Sequence, residues 1–139
     1  MIYKRVDDGY FVRVDSGELL VKQLTQLSAE LNIRGASISG VGSSEWAEVG
    51  FYHQDKKQYE FKKLQLRMEI VSLSGSIARD EQGPVIHLHG VLSDHNLQCA
   101  AGHIREICVG ATCEIYIKQF QQTIERAHDS VTGLKLIQP

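Results

Sequence analysis

The chain has 139 residues, of which 42% are hydrophobic and 23% are charged, and its formal net charge is -2. This length and composition are typical of one globular domain with a real core, so we expect a single domain over residues 1–139. The charge balance lacks the basic excess of most nucleic-acid binders, and no stretch approaches the roughly 20 apolar residues of a membrane span.

The first elements in chain order are two short strands and a helix. Residues 2–14 have a β-rich composition around a turn signal at Asp7 to Gly9. A helix follows, with Ser16 as the expected N-cap and Asn32 at its end. Its apolar face is predicted from leucines that recur at spacings of three and four residues, namely Leu19, Leu20, Leu24, Leu27 and Leu31.

After residue 33 the pattern changes to the alternation of strands. Residues 78–84 are predicted to form a loop, and the tail after Gln121 has little pattern. One amphipathic helix against seven or more strands predicts an α+β fold, in which a largely antiparallel, barrel-like curled sheet packs against that helix. Beyond an alternating run at 36–41, the predicted strands cover residues 47–53, 58–64, 66–77, 85–92, 98–109 and 111–120.

Three of the six histidines cluster in this predicted sheet. His87 and His89 are two residues apart in one strand, so both side chains point to the same face. A hairpin centred on His95 pairs residues whose numbers sum to 190, which places His103 opposite His87. The β-carbons of that pair would be about 4.5–5.5 Å apart, with His89 on the diagonal at roughly 7–8 Å. The three imidazoles are therefore predicted to converge.

Three converging imidazoles are the ligand set of an open zinc site. The sequence thus predicts a divalent transition metal as cofactor, with zinc favoured over nickel, copper or iron, which imidazole also binds. The remaining coordination position suits a small anionic ligand. Because an imidazole must be neutral to coordinate, binding is expected to fade below roughly pH 6. The alternative is a hydrogen-bonded polar patch at a subunit contact.

An ionisable pair, Arg67 and Glu69, lies on one face of the predicted strand at 66–77, next to apolar positions. Such a pair can line a pocket or orient a metal ligand. A structural salt bridge at a subunit interface is the more common role.

No motif marks a nucleophile or a general base, so the catalytic residues are unknown and enzyme activity is left open. The first residues lack a signal peptide, and Cys99, Cys108 and Cys113 form no CxxC pair, so we expect free thiols in the cytoplasm.

Several segments resemble the plants and prokaryotes conserved (PPC) domain, over roughly residues 3 to 136. The matching motifs are residues 35–43 and 66–75, His87-Leu88-His89, Ala101-Gly102-His103 and residues 112–115. The resemblance implies a compact α+β domain that assembles as a homotrimer. Plant members place an Arg-Gly-Arg-Pro AT-hook before the domain; this sequence has no such motif and so is similar to the stand-alone prokaryotic members.

The fold of that family is similar to acetolactate decarboxylase, in which a strand HxH and a later histidine hold zinc. By that likeness His87, His89 and His103 carry over as metal ligands, although Ala101 stands where the family has a glycine. Two functions stay open: a metal-dependent enzyme or small-molecule sensor, and a DNA-binding regulator that acts without an AT-hook. Net charge does not favour DNA, and a duplex binder would lose affinity steeply with salt.

Overall fold

The structure is a computed structural model that describes residues 1–139 and shows one helix and nine strands. In chain order the elements are β1 (Ile2–Val6), β2 (Gly9–Asp15), α1 (Leu20–Glu30), β3 (Ala36–His53), β4 (Gln58–Leu64), β5 (Met68–Asp80), β6 (Gly83–Ser93), β7 (Cys99–Gln119), β8 (Arg126–His128) and β9 (Lys135–Ile137). The predicted α+β class is confirmed. The single helix has 11 residues, and no helix is long and apolar enough to cross a membrane.

Seven of the strands form one antiparallel sheet that closes on itself. Its order is β1-β2-β7-β6-β5-β3-β4, and β7 pairs with β3 as well. The strands β3, β5, β6 and β7 therefore make a four-stranded ring, with β4 attached to β3, and β2 and β1 attached to β7. The long strands bend at bulges, such as the register shift between Gly40 and Gly42, and this bending lets the ring close. The predicted curled, antiparallel sheet is confirmed in this form.

Three predicted boundaries were wrong. Residues 78–84 are not a loop, because β5 and β6 continue to a tight turn in which Asp80 Oδ1 accepts hydrogen bonds from the backbone N–H of Gln82 (2.8 Å) and Gly83 (3.2 Å). The strands predicted at 98–109 and 111–120 are one strand, β7, which runs through Gly110. The weakly patterned tail forms a second, two-stranded sheet from β8 and β9.

Helix α1 covers the sheet with the predicted leucine face. Leu20, Leu24 and Leu27 are fully buried, and the helix contacts β6 and β7. Asn32 has a positive φ of 50°, a conformation that asparagine tolerates and that ends helices. Burying each large apolar side chain contributes about 1.5–3 kcal/mol, so this leucine face anchors the helix on the strands that carry the histidines.

The N-terminus of α1 is capped by a distant strand, which corrects the prediction for Ser16. The helix begins at Leu20, and Leu19 before it has extended backbone angles and no capping side chain. Instead, the carboxylate of Glu106 in β7 accepts a hydrogen bond of 2.7 Å from the backbone N–H of Val21. A carboxylate there accepts hydrogen bonds from backbone amides that have no partner inside the helix. Its negative charge also interacts favourably with the positive end of the helix dipole.

Candidate functional site

The three predicted histidines lie on the outer face of two adjacent strands of the ring. His87 and His89 of β6 flank Leu88, which is fully buried. Because side chains alternate along a strand, burying Leu88 turns both histidines outward. His103 of β7 is paired directly with His89. The fold of β6 and β7 thus brings all three imidazoles to one place.

The register of this hairpin differs from the prediction by one residue at its centre. The predicted centre at His95 gave pairs that sum to 190, whereas the observed pairs, such as His89 with His103, sum to 192. His87 therefore lies on the diagonal and His89 directly opposite. A shift of two residues keeps every side chain on its own face, so the predicted cluster survives the wrong register.

The turn itself explains the shift. Asp94 Oδ1 accepts hydrogen bonds from the backbone N–H of Asn96 (2.8 Å) and of Gln98 (2.9 Å). Leu97 takes a positive φ of 63° to complete a five-residue connection. The turn is consequently centred on Asn96, and His95 is an exposed turn residue away from the cluster.

The imidazole rings form a nearly equilateral triangle. The ring centroids are 5.2 Å apart for His87 and His89, 5.3 Å for His87 and His103, and 5.4 Å for His89 and His103. One nitrogen from each ring lies within 4.8 Å of the others. A tetrahedral zinc ion with Zn–N bonds of about 2.0–2.1 Å holds its nitrogens about 3.4 Å apart, so the rings need to close by at most about 1.4 Å. The donor set and spacing fit such an ion.

Burial favours the neutral form of two of these rings, those of His87 and His103. Desolvation, reinforced by the charge of Arg126 and by His89, lowers the pKa of His87. Desolvation, with smaller effects from His87 and His89, lowers the pKa of His103 to about 4. At neutral pH both rings are therefore uncharged, as coordination of a metal requires. At His103 this moves proton competition below the pH of roughly 6 that the sequence suggested.

One buried nitrogen of the cluster has no hydrogen-bond partner. Nδ1 of His103 is buried and makes no hydrogen bond within the chain. An unpartnered buried polar atom is unfavourable by about 1–3 kcal/mol, so its presence calls for a partner from outside the chain. A metal ion would provide one. This orphan nitrogen is the structural observation that most directly favours a ligand at the cluster.

Sequence reasoning missed the aromatic wall beside His103. The ring of Tyr59 lies against that imidazole with centroids 4.6 Å apart, and Phe61 lies 6.2 Å away. Both come from β4. The signal was available, because Tyr59 and Phe61 alternate with charged residues and so share one face of the strand.

Sequence reasoning also missed Arg126, at the start of β8. Its Nη2 lies 3.1 Å from Nδ1 of His87 and 3.5 Å from Oγ of Ser76. Its Nη1 donates to the backbone carbonyl of Lys135 (2.9 Å). No sequence pattern pointed to this residue, because it lies in the tail where neither the strand period nor a motif marks a site.

The structure places Arg67 and Glu69 apart from the histidines. Both line a polar cavity of about 510 Å³, in which Arg67 pairs with Glu45 at 3.0 Å rather than with Glu69. Glu69 is five residues along β5 from Ser74, the partner of His89 in the sheet, which corresponds to roughly 16 Å. The pair therefore belongs to a separate cleft.

Comparison with known proteins gives both a family and close structural neighbours. The Plants and Prokaryotes Conserved (PCC) domain matches residues 1–121. A solved structure from Ralstonia eutropha JMP134, described as a "putative DNA-binding protein", is 31% identical with a TM-score of 0.92, over 99% of this chain and 95% of that one. A "metal-containing protein" from Archaeoglobus fulgidus is 32% identical with a TM-score of 0.88, over 100% of this chain and 99% of that one.

A more distant neighbour shares the fold alone. The α-acetolactate decarboxylase of Bacillus subtilis strain 168 is 14% identical with a TM-score of 0.55, over 88% of this chain and 57% of that one. The predicted likeness to the fold of that enzyme is confirmed, and its activity does not follow from it. A search of curated proteins finds no match.

Proposed function

The chain belongs to the Plants and Prokaryotes Conserved domain family, and from this premise we propose that His87, His89 and His103 bind one divalent transition metal ion per chain, with zinc as the first choice. The observation that carries the proposal is the triangle of imidazoles in which a buried nitrogen of His103 has no partner. The metal-containing relative from Archaeoglobus fulgidus supports it.

The proposed metal would bind a small anionic ligand at its open coordination position. Three neutral imidazoles leave the full charge of a divalent ion uncompensated and one position open, which favours an anion or a water molecule there. Such an ion can polarise a carbonyl or lower the pKa of a bound water. The chain supplies the wall on one side through Tyr59, while His89 is exposed and leaves the cluster accessible. The function is thus metal-dependent binding of a small molecule, as a sensor or an enzyme.

The direct test is the metal content of the protein. Protein purified without a histidine tag is expected to contain, or to take up from zinc solution, one metal ion per chain, because the three ligands are already gathered. Elemental analysis gives the stoichiometry, and calorimetric titration of the chelator-treated protein with zinc gives the affinity. Protein that carries no stoichiometric metal and takes up none on zinc addition would show that the cluster is a structural polar patch.

We further propose that the chain assembles as a homotrimer, as its family resemblance implies. Phe11 and Val41 are 54% and 53% exposed, and both line one surface groove. Tyr116 lines the same groove and stacks on Phe11 with centroids 5.3 Å apart. Exposed apolar clusters of this kind mark interaction surfaces. Self-association would bury this patch.

Light scattering at micromolar concentration is expected to give a mass of about 47 kDa, three times the 15.6 kDa of one chain. Phe11→Glu should shift the mass toward that of the monomer, because it puts an unpaired charge into a buried apolar contact. Glu30, exposed at the end of α1, offers a neutral control in Glu30→Gln, which should leave the mass unchanged. A monomeric wild type would rule out this assembly.

DNA binding is the second candidate function, and the description of the relative from Ralstonia eutropha favours it. We rank it second because the formal net charge is -2 and the affinity of DNA-binding proteins rests largely on neutralising phosphates.

We also propose that the protein is located in the cytoplasm, where the three free cysteines would stay reduced.

A further inference from the structure

The C-terminal hairpin of β8 and β9 is tied to the sheet around the histidine cluster. Its first residue, Arg126, reaches His87 as described above. The hairpin segment is also fastened elsewhere: Tyr52 donates its hydroxyl hydrogen to the carbonyl of Thr132 (2.5 Å), Lys57 donates to the carbonyl of Ser130 (2.7 Å), and Lys135 pairs with Asp80 (2.5 Å). The guanidinium of Arg126 is thus held at the cluster by fixed elements and not by a free tail.

The hydrogen bond between Arg126 and His87 is incompatible with metal binding by His87. An arginine side chain only donates, so Nδ1 of His87 accepts and the ring proton of the neutral imidazole resides on Nε2. One ring nitrogen then has its lone pair engaged and the other carries a hydrogen. Neither nitrogen of His87 is free to coordinate until Arg126 moves away, because the other tautomer would place a hydrogen on Nδ1 opposite the donor Nη2.

Metal binding by His87 would release Nη2 of Arg126, which belongs to the edge of the guanidinium that binds carboxylates. Nη1 is already used by the carbonyl of Lys135, whereas Nη2 is the group on His87. Nε, on the same side of the guanidinium as Nη2, is buried and has no hydrogen-bond partner. Nε–H and Nη2–H together form the two-pronged edge that binds both oxygens of one carboxylate.

We propose that Arg126 is the anion-binding residue of the metal site, and that metal binding displaces it from His87 so that its Nε and Nη2 bind the carboxylate of a small organic acid. This inference rests on the proposed metal site and names the class of its ligand. In the metal-free chain the guanidinium of Arg126 is hydrogen-bonded to His87. In the metal-bound chain it would bind a carboxylate that the positive charge of the metal also attracts.

Two effects of opposite sign follow from this arrangement. In Arg126→Gln the competitor for His87 and a nearby positive charge are both removed, so the zinc affinity should rise by about three- to tenfold. The affinity of the metal-loaded protein for a carboxylate should fall by at least about tenfold, because a two-pronged charged contact is lost. An arginine that only held the tail in place would, when removed, loosen the site and weaken the binding of zinc.

The experiment measures both affinities in wild type, Arg126→Gln and Arg126→Lys. Zinc affinity is obtained by competition with a chromophoric chelator. Carboxylate affinity is obtained from the visible spectrum of the cobalt(II)-loaded protein during titration with sodium malonate, with malonamide as the uncharged comparison. Arg79→Gln is the matched control, because this arginine lines the same cleft as Arg126 but bonds Asn32 and not a histidine; both affinities should stay at the wild-type level.

The expected pattern is tighter zinc and weaker malonate binding in Arg126→Gln, intermediate malonate binding in Arg126→Lys, and no response to malonamide. Circular dichroism identifies any variant that fails to fold, and Arg126→Lys then carries the comparison. Equal malonate affinity in wild type and the Arg126 variants, or weaker zinc binding in a folded Arg126→Gln, overturns this inference alone. A wild type that binds neither zinc nor cobalt overturns the proposed function itself.

Discussion

Replacing His103 with alanine is expected to weaken zinc binding by more than about a hundredfold. His103 is the one ligand that β7 supplies, and its buried Nδ1 has no partner within the chain. Without it, two histidines on one strand are left, and a two-ligand site does not hold zinc in its usual tetrahedral set. Calorimetric titration measures the loss. A second readout is thermal unfolding, since only a protein that binds zinc is stabilised by it, by about 2.7 kcal/mol at a zinc concentration of 100 times Kd.

The controls for this prediction lie in the same hairpin. His89→Ala should lose zinc as His103→Ala does, because His89 faces His103 across the two strands. His95→Ala should bind zinc like wild type, because His95 is exposed in the turn and is not part of the cluster. Zinc affinity that is unchanged in His89→Ala or in His103→Ala would show that the ligands are assigned wrongly, even if the protein carries metal.

The histidine cluster could be predicted from the sequence because it depends on parity more than on register. The spacing of His87 and His89 fixes a shared face for any strand, and β7 follows β6 directly in the chain. The centre of the turn was predicted at His95 and observed at Asn96, since Asp94 sets the turn with its own carboxylate. The error moved the pairing by two residues, and two is the period of a strand.

Contacts that depend on closure of the ring could not be predicted in this way. Glu106 caps a helix that is 85 residues away in the chain, so no local signal competes with Ser16. Arg67 pairs with Glu45 because β3 and β5 are neighbours in the ring, although Glu69 is closer in sequence. Arg126 reaches His87 only because the tail folds back. In each case the partner is determined by topology, which local sequence patterns do not reveal.

The loop predicted at 78–84 is wrong for a different reason: here the local composition itself was misleading. Glycine, proline and four charged or amide side chains in seven residues are typical of a connection. Here Pro84 lies at the beginning of β6, a position where a missing N–H donor is tolerated, and the polar side chains lie at the end of a hairpin that reaches solvent. The strand pairing therefore continues through a polar segment.

A large effect on stability is expected from Gly75→Ala, in the strand that supports the two histidines of β6. Gly75 of β5 is paired with Leu88, and a β-carbon at this position would stand 2.0 Å from the carbonyl oxygen of His87 and 2.8 Å from Cδ2 of Leu88. A backbone oxygen at that distance moves only if β6 moves. We expect a loss of about 3 kcal/mol in the free energy of unfolding, measured by urea denaturation of the metal-free protein. Displacing His87 and its neighbour should also weaken zinc binding by about tenfold.

The control is Gly17, where an added β-carbon would contact nothing. It separates the effect of a steric clash from the effect of losing the flexibility of glycine. Gly17 has a φ of +80°, and a β-carbon there would meet no heavy atom within 4 Å. Gly17→Ala should therefore suffer only the strain of a left-handed alanine, about 1–2 kcal/mol, and should bind zinc like wild type. Equal stability of Gly75→Ala and wild type would mean that β5 and β6 separate freely at this point. The histidines of β6 would then not be held in place by the close packing of the two strands.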